Sequence, residues 1–499
     1  MTQDPIASRV GARAGRRAEC FAWAGALLAA ASWQAYSVTA LPIIVSPDGF
    51  DYLYLSGTLF EQAGWGSVRM PLYPLSLRLA IATFGFDSAT LVGLNAALAL
   101  VGSLLLALAV RASFGLVPGL VLFALLCIHP PNVAYAHAVL TESGQYAFVA
   151  ALALVSSLRA SQARPGEGPL AVAALVLLLL AFLWRQTLVF LAPAVALCFA
   201  LATRRDGLGA ARPPAGSGWR GRLQRYRSSL ALLLLPPLAI LAWRAPLDRQ
   251  GAGPREGLAV LYGALLQGLP PVDSPAVASI REPYRAALRR AAPEGSLPLH
   301  GLQGSSGLWE MLETFRASTA EPEQLFWELA RRHPGRYLAG AARTAGHLLG
   351  IESSRSAVAE MCGLVLVKDR DFVPTTWSID PRPDAVRYVT ERLSLAHPGR
   401  PYASAARLLR HAIEPFRSLV MIGGLAACGF ALLALVRLDP RIAWLGCLPL
   451  ALVAPYTVLL LSEDRYAYAA HGLLLASAVV AVTLVWRRSR PRAPLPRHR

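Results

Sequence analysis

Long uninterrupted apolar blocks constrain this chain more than any other feature. Leu91 to Val110, Ala171 to Leu183, Ser229 to Trp243 and Leu419 to Val436 are nearly free of charge. Their apolar residues show neither helical nor strand spacing, so each block is apolar on every side. A helix needs about 20 such residues to cross about 30 Å of hydrocarbon. Several blocks reach that length and some fall slightly short. Composition agrees, because 55% of the 499 residues are hydrophobic and 16% charged, too little charge to coat a soluble protein of this size. The expectation is an all-α polytopic membrane protein.

The net charge of +18 would suggest nucleic acid in a soluble chain. Here the basic residues sit mainly at the ends of apolar blocks, which excludes that reading. Arginine outnumbers lysine, and alanine, glycine and proline are abundant, as in proteins from GC-rich bacterial genomes. Arg9, Arg13, Arg16 and Arg17 precede an apolar run from Phe21 to about Val45. A signal peptide would begin this way, but no small-residue cleavage site ends the run, so it reads as an uncleaved first span. Five of the six cysteines lie in or beside apolar blocks, leaving Cys362 alone in the long polar segment. No paired-cysteine or His/Cys motif points to a metal site.

Spans are expected near 21–45, 88–110, 115–134, 137–158, 169–184, 187–203, 228–244, 416–436, 442–461 and 465–486, about ten in all. Short loops rich in Arg and Lys stay cytoplasmic. With the N-terminus inside, Arg9 to Arg17, Arg111, Arg159 and Arg164, the seven arginines from Arg204 to Arg227, Arg437 and Arg441, and the C-terminal arginines from Arg487 all fall on one side. Both termini are then cytoplasmic, and 46–87 and 245–415 lie outside. The latter reads as mostly helical, with helices expected over Glu321 to Arg332 and from Pro334 to Leu349. The chain divides into 1–244, carrying the first outer loop, the outer segment 245–415, and 416–499 with its basic tail.

Four places on the outer side carry ionisable groups. The first loop begins Ser46-Pro-Asp48-Gly-Phe-Asp51-Tyr52 and continues to Arg69-Met-Pro-Leu-Tyr73-Pro. Tyr52, Leu55 and Leu59 are at helical spacing, so a short interfacial helix is expected, with Asp51 one turn after Asp48. Asp48 could instead serve only as that helix's N-cap, and Arg69 and Tyr73 as interface anchors. His129-Pro-Pro-Asn132, His137 and Thr141-Glu142 bracket the next outer turn. A carboxylate just inside a span is a functional candidate, because burying it unpaired is costly, but it could also sit in a structural salt bridge. Arg185 lies between two half-length apolar runs, where snorkelling to headgroups is the plain explanation. Glu463-Asp-Arg465-Tyr466 opens the last span. Carboxylates and arginines on one membrane face suit glycosyl transfer from a lipid phosphate: a carboxylate can take the acceptor proton, and arginines can hold the departing phosphate.

Asp48-x-x-x-Tyr52-x-x-x-Ser56, Gly64 and Arg69-x-Pro71-x-Tyr73-Pro74 together resemble the first extracytoplasmic loop of GT-C glycosyltransferases. The similarity is greatest to the glycosyltransferase family 39-like branch of protein mannosyltransferases and bacterial lipid A and lipopolysaccharide glycosyltransferases. His129-Pro130 with Leu140-Thr-Glu142, Trp184-Arg185, His333-Pro-x-x-Tyr337-Leu338 and Glu463-x-Arg465-Tyr466 follow in the family's order. The resemblance implies a GT-C fold in a bacterial inner membrane, a polyprenyl-phosphate-linked sugar as donor, and inversion at the anomeric carbon. It makes Asp48 the base, with Asp51 as possible partner. It implies Arg69, Arg185 and Arg465 as donor-phosphate ligands, and Tyr52, Tyr73, His137, Glu142 and Tyr466 as substrate contacts. Many members carry adjacent acids in this loop, whereas here Gly49 follows Asp48. Nothing in the sequence supports a divalent metal, and the sugar and the acceptor (protein, lipid or polysaccharide) are not legible. A transporter or flippase of lipid-linked sugar, and a non-catalytic envelope-assembly subunit, are the competing readings.

Overall fold

The computed structural model describes residues 5–58, 70–161, 167–209, 226–249, 326–327, 330–351, 362, 365–366, 370–371, 383–395, 402–459 and 464–489, with side chains at 5–16, 47, 167, 207–209, 243–249 and 464–467 excepted. The described chain is helical, and its only β pairing is two isolated parallel bridges, Ile44 to Ala138 and Asp87 to Ser394. The helices are α1 (Pro5–Ala40), α2 (Pro47–Thr58), α3 (Leu72–Phe84), α4 (Ser88–Phe114), α5 (Leu116–Ile128), α6 (Pro130–Ala136), α7 (Glu142–Ser161), α8 (Glu167–Trp184), α9 (Ala192–Gly209) and α10 (Arg227–Arg249). They continue with α11 (Pro334–Leu348), α12 (Pro383–Arg392), α13 (Tyr402–Arg437), α14 (Pro440–Val458) and α15 (Asp464–Ser489). A 3₁₀ turn, Gln186–Leu191, joins α8 to α9.

Among the described residues, five stretches are long and apolar enough to cross a membrane: Ser88–Phe114, Gln186–Asp206, Tyr402–Arg437, Pro440–Val458 and Tyr468–Ser489. The pair α5 and α6, bent by 51° at His129, makes a sixth. The remaining expected spans are helical but fall outside these criteria for physical reasons. Gly168–Trp184 covers only about 25 Å at 1.5 Å per residue. Helix α7 carries Glu142, Ser143, Gln145, Ser156, Ser157 and Arg159, all buried within the bundle. Helix α13 departs from the expected boundary at 415: it runs unbroken from Tyr402 through Pro415. Its 36 residues reach about 54 Å, well beyond the hydrocarbon thickness. The helix expected from Pro334 is present as α11, with Pro334 in its first turn; residues 250–325 lie outside the described set.

Helices α4 and α7 run parallel and register the bundle. Asn95 reaches Ala138 at one end, Ser103 lies 3.3 Å from Tyr146 midway, and Ser113 lies 2.7 Å from Ser157 at the other. At that second end the arginines meet their partners. Arg111 pairs with Glu19, Arg159 with Asp206 at 2.8 Å, and Arg487 donates to the Phe114 carbonyl. At the first end Thr187 accepts from Tyr456 at 2.8 Å, and Ile44 pairs with Ala138. The helices approach so closely that only glycine fits at several crossings. A Cβ on Gly446 would meet the Ala431 backbone nitrogen at 2.2 Å, and one on Gly423 the Leu474 carbonyl at 2.0 Å. Backbone atoms cannot swing aside, so Gly446→Val is expected to cost at least the usual 1–3 kcal/mol of overpacking, roughly, and to lower the detergent-solubilised unfolding temperature. An unchanged unfolding temperature would refute this packing.

Candidate functional site

The site is assembled at the end of the bundle away from Arg111, Arg159 and Arg487. Residues 41–46 leave α1 as a buried, non-helical segment held on two sides. On one side Ile44 donates to the His137 carbonyl at 2.8 Å, and Val139 donates to the Ile44 carbonyl at 3.0 Å. The His137 Nδ1 lies 3.1 Å from the Pro42 carbonyl, an atom that can only accept, so Nδ1 carries the proton. On the other side the Ile43 amide donates to Asp371 Oδ1 at 3.1 Å, which ties in a residue of the long polar segment.

This segment aims α2. Ser46, not Asp48, caps the helix: its Oγ accepts from the Gly49 amide at 3.1 Å. Asp48 stands half-buried in the first turn, where the positive end of the helix dipole stabilises negative charge. Asp51, also half-buried, follows one turn later. Gly49 packs against residue 139, and a Cβ there would lie 2.9 Å from the Val139 carbonyl. That approach leaves no room for an acid at position 49. Tyr52 points inward, its ring 5.0 Å from Tyr73 in an edge-on arrangement. Tyr73 is fully buried rather than at the membrane interface, donates to Asn95 Oδ1 and lies 5.1 Å from Trp184.

Trp184 leads to the charged centre. Its Nε1 donates to the Thr141 carbonyl at 2.8 Å, and its ring lies against Gly144 so tightly that a Cβ would overlap it. The break between α8 and the 3₁₀ turn places Arg185 in extended backbone (φ −155°, ψ 122°), and its side chain turns onto the start of α7. Arg185 Nη1 donates to Glu142 Oε1 at 2.8 Å, Gln145 Oε1 at 2.9 Å and Thr141 Oγ1 at 3.3 Å. The Glu142 side chain is 2% exposed and that of Arg185 17%, so this ion pair is buried on one side and open on the other. Arg185 does not merely snorkel, and Glu142 is held in a salt bridge. Beyond it, Tyr468 packs 4.5 Å from Tyr135, and His471 lies 5.7 Å from His129.

Parts of the polar segment cover the loop. Tyr388 on α12 packs edge-on against Tyr54, lies over Gly57 and carries Arg392 at 4.2 Å from its ring centre. Ser394 completes a bridge to the turn before α4.

The structure thus gathers Asp48, Asp51, Tyr52, Tyr73, His137, Glu142 and Arg185 at one end of the bundle. Arg69 lies outside the described residues, as do the side chains of Arg465 and Tyr466, whose backbone opens α15. Gln145, Asn95 and Asp371 were not singled out from sequence. Gln145 had a signal, an amide three residues after Glu142 at the start of an apolar run; Asp371 had none, because its partner is 328 residues away. Among the described residues no group of three or more His, Cys, Asp or Glu could hold a metal ion. No protein-family model matches the chain, and neither a curated protein nor a solved structure does.

Proposed function

We propose that the chain is an inverting GT-C glycosyltransferase, moving a sugar from a polyprenyl-phosphate donor to an acceptor on the extracytoplasmic face of a bacterial inner membrane. The observation that carries this reading is the convergence of the Asp48 helix and the Glu142–Arg185 pair at one end of the bundle, linked through Tyr52, Tyr73 and Trp184. The loops rich in arginine belong to the opposite end, which the charge rule makes cytoplasmic.

In this reading the acceptor oxygen attacks the anomeric carbon while an Asp48 oxygen takes its proton, with Asp51 nearby. The carbon–oxygen bond to the phosphate breaks on the opposite side, and its electron pair leaves with the lipid phosphate. Arg185, with Arg69 and Arg465, stabilises the charge gathering there. Glu142 and His137, assigned above as substrate contacts, act here by holding Arg185 and the loop that carries Asp48. Tyr52, Tyr73 and Tyr466 shape the apolar wall.

The decisive experiment uses purified protein in proteoliposomes, supplied with labelled polyprenyl-phosphate-linked sugars and envelope lipids or proteins as acceptors. Label is expected to move onto an acceptor with inverted anomeric configuration. Label that crosses the bilayer still attached to its lipid, with none transferred, would identify a flippase. The broken helix α5–α6, the one such bent pair among the described residues, is the feature that favours this second reading.

A further inference from the structure

Gln145 occupies an unusual position. It is 1% exposed, one turn into α7 beside Glu142. Its amide orientation follows from its partner: an arginine can only donate, so the atom 2.9 Å from Arg185 Nη1 must be the oxygen. The amide nitrogen therefore points elsewhere, and among the described residues this buried donor has no hydrogen-bond partner. Burying an amide donor unsatisfied is costly enough that nearly all such groups find an acceptor.

The surroundings define what kind of acceptor suits it. Thr141 Oγ1, Glu142 Oε1 and Gln145 Oε1 all converge on Arg185 Nη1, so these oxygens face the guanidinium. The guanidinium and the Gln145 amide nitrogen form an adjacent set of pure donors. Arg185 is the more exposed member of the ion pair, its side chain 17% exposed. A pure-donor pair matches an oxyanion, which only accepts.

We propose that Gln145 is a phosphate-binding residue, donating its side-chain amide to a non-bridging oxygen of the donor lipid phosphate beside Arg185. This assignment rests on the lipid-phosphate reading above. In it Gln145 does two jobs through opposite ends of one group: the oxygen orients the arginine, and the nitrogen binds the anion the arginine attracts.

The test measures binding of undecaprenyl phosphate and of undecaprenol, the same lipid without phosphate, to the full-length protein in nanodiscs. Wild type is expected to bind the phosphate form more tightly. Gln145→Glu keeps an oxygen for Arg185 but replaces the donor by a carboxylate oxygen, and should weaken phosphate binding by about 10- to 100-fold. Gln145→Met removes the donor without adding charge and should lose about 10-fold. Undecaprenol binding should be unchanged in both, which a merely structural role would not produce. Preserved preference for phosphate in both variants overturns the assignment while leaving the glycosyltransferase reading intact. Equal weakening for both lipids overturns it too, by showing that Gln145 only supports the fold. If wild type itself shows no preference for phosphate, the assignment falls together with the reading beneath it.

Discussion

Asp48→Asn is expected to reduce sugar transfer by roughly 100- to 10,000-fold, the range associated with loss of a general base. The fold should survive the change. Ser46 caps α2, so the Asp48 side chain is not needed to start the helix, and asparagine is tolerated in a first turn. Loss of the carboxylate's interaction with the helix dipole accounts for about 0.3–1 kcal/mol. Donor binding should change little, because the base acts on the acceptor. The measurement is initial transfer rate with a matched unfolding curve. A fully active Asp48→Asn protein would remove Asp48 from the role of base. Asp51→Asn, compared beside it, decides whether the second acid shares the proton: loss in both variants assigns the task to the pair.

The second large effect concerns the ion pair between α7 and the 3₁₀ turn. Glu142→Ala leaves the Arg185 guanidinium facing a protein wall without its carboxylate, and Arg185→Ala strands a carboxylate that is 2% exposed. Removing one partner of a buried pair is expected to cost about 3–5 kcal/mol, read as a lower unfolding temperature in detergent. Replacing both, as Glu142→Leu with Arg185→Met, fills the same space without charge and should recover much of that stability. The double variant should nevertheless stay inactive, because the phosphate ligand is gone. That divergence between stability and activity separates a functional pair from a scaffold pair. A double variant both stable and active would show that Arg185 serves packing alone.

Much of the architecture was legible because apolar blocks are a local signal. The break at Arg185, the helix from Pro334 and the start of α4 all follow from residues within a turn or two of the boundary. The region from His129 to Thr141 was not legible in the same way. It is almost wholly buried yet partly non-helical, with its polar groups met by Ile44, Asn95 and Trp184, partners between about 40 and 95 residues away. Periodicity cannot register such partners, and the span expected from 137 is met by a helix that begins only at Glu142. Tyr73 illustrates the same limit. Next to an arginine and two prolines it reads as an interface anchor, but tertiary packing against Tyr52 and Trp184 draws it inside. For the site, residue types with charge were visible, whereas Gln145 and Asp371 acquire meaning only through what they touch. About ten spans were expected, whereas among the described residues five stretches, or six with the bent pair, are long and apolar enough to cross a membrane.

The long polar segment grips the Asp48 loop in two places. Asp371 holds the backbone just before α2, and Tyr388 lies against Tyr54 and over Gly57 at its end. A chimera that imports this segment from a protein with a different substrate will therefore not behave as a cassette. Any incoming residue must meet the bare surface left by Gly57 and supply an acceptor for the Ile43 amide, or α2 loses its seat. Segment and loop are inherited as a matched set, and swapping them together is the rational unit for redesigning this protein.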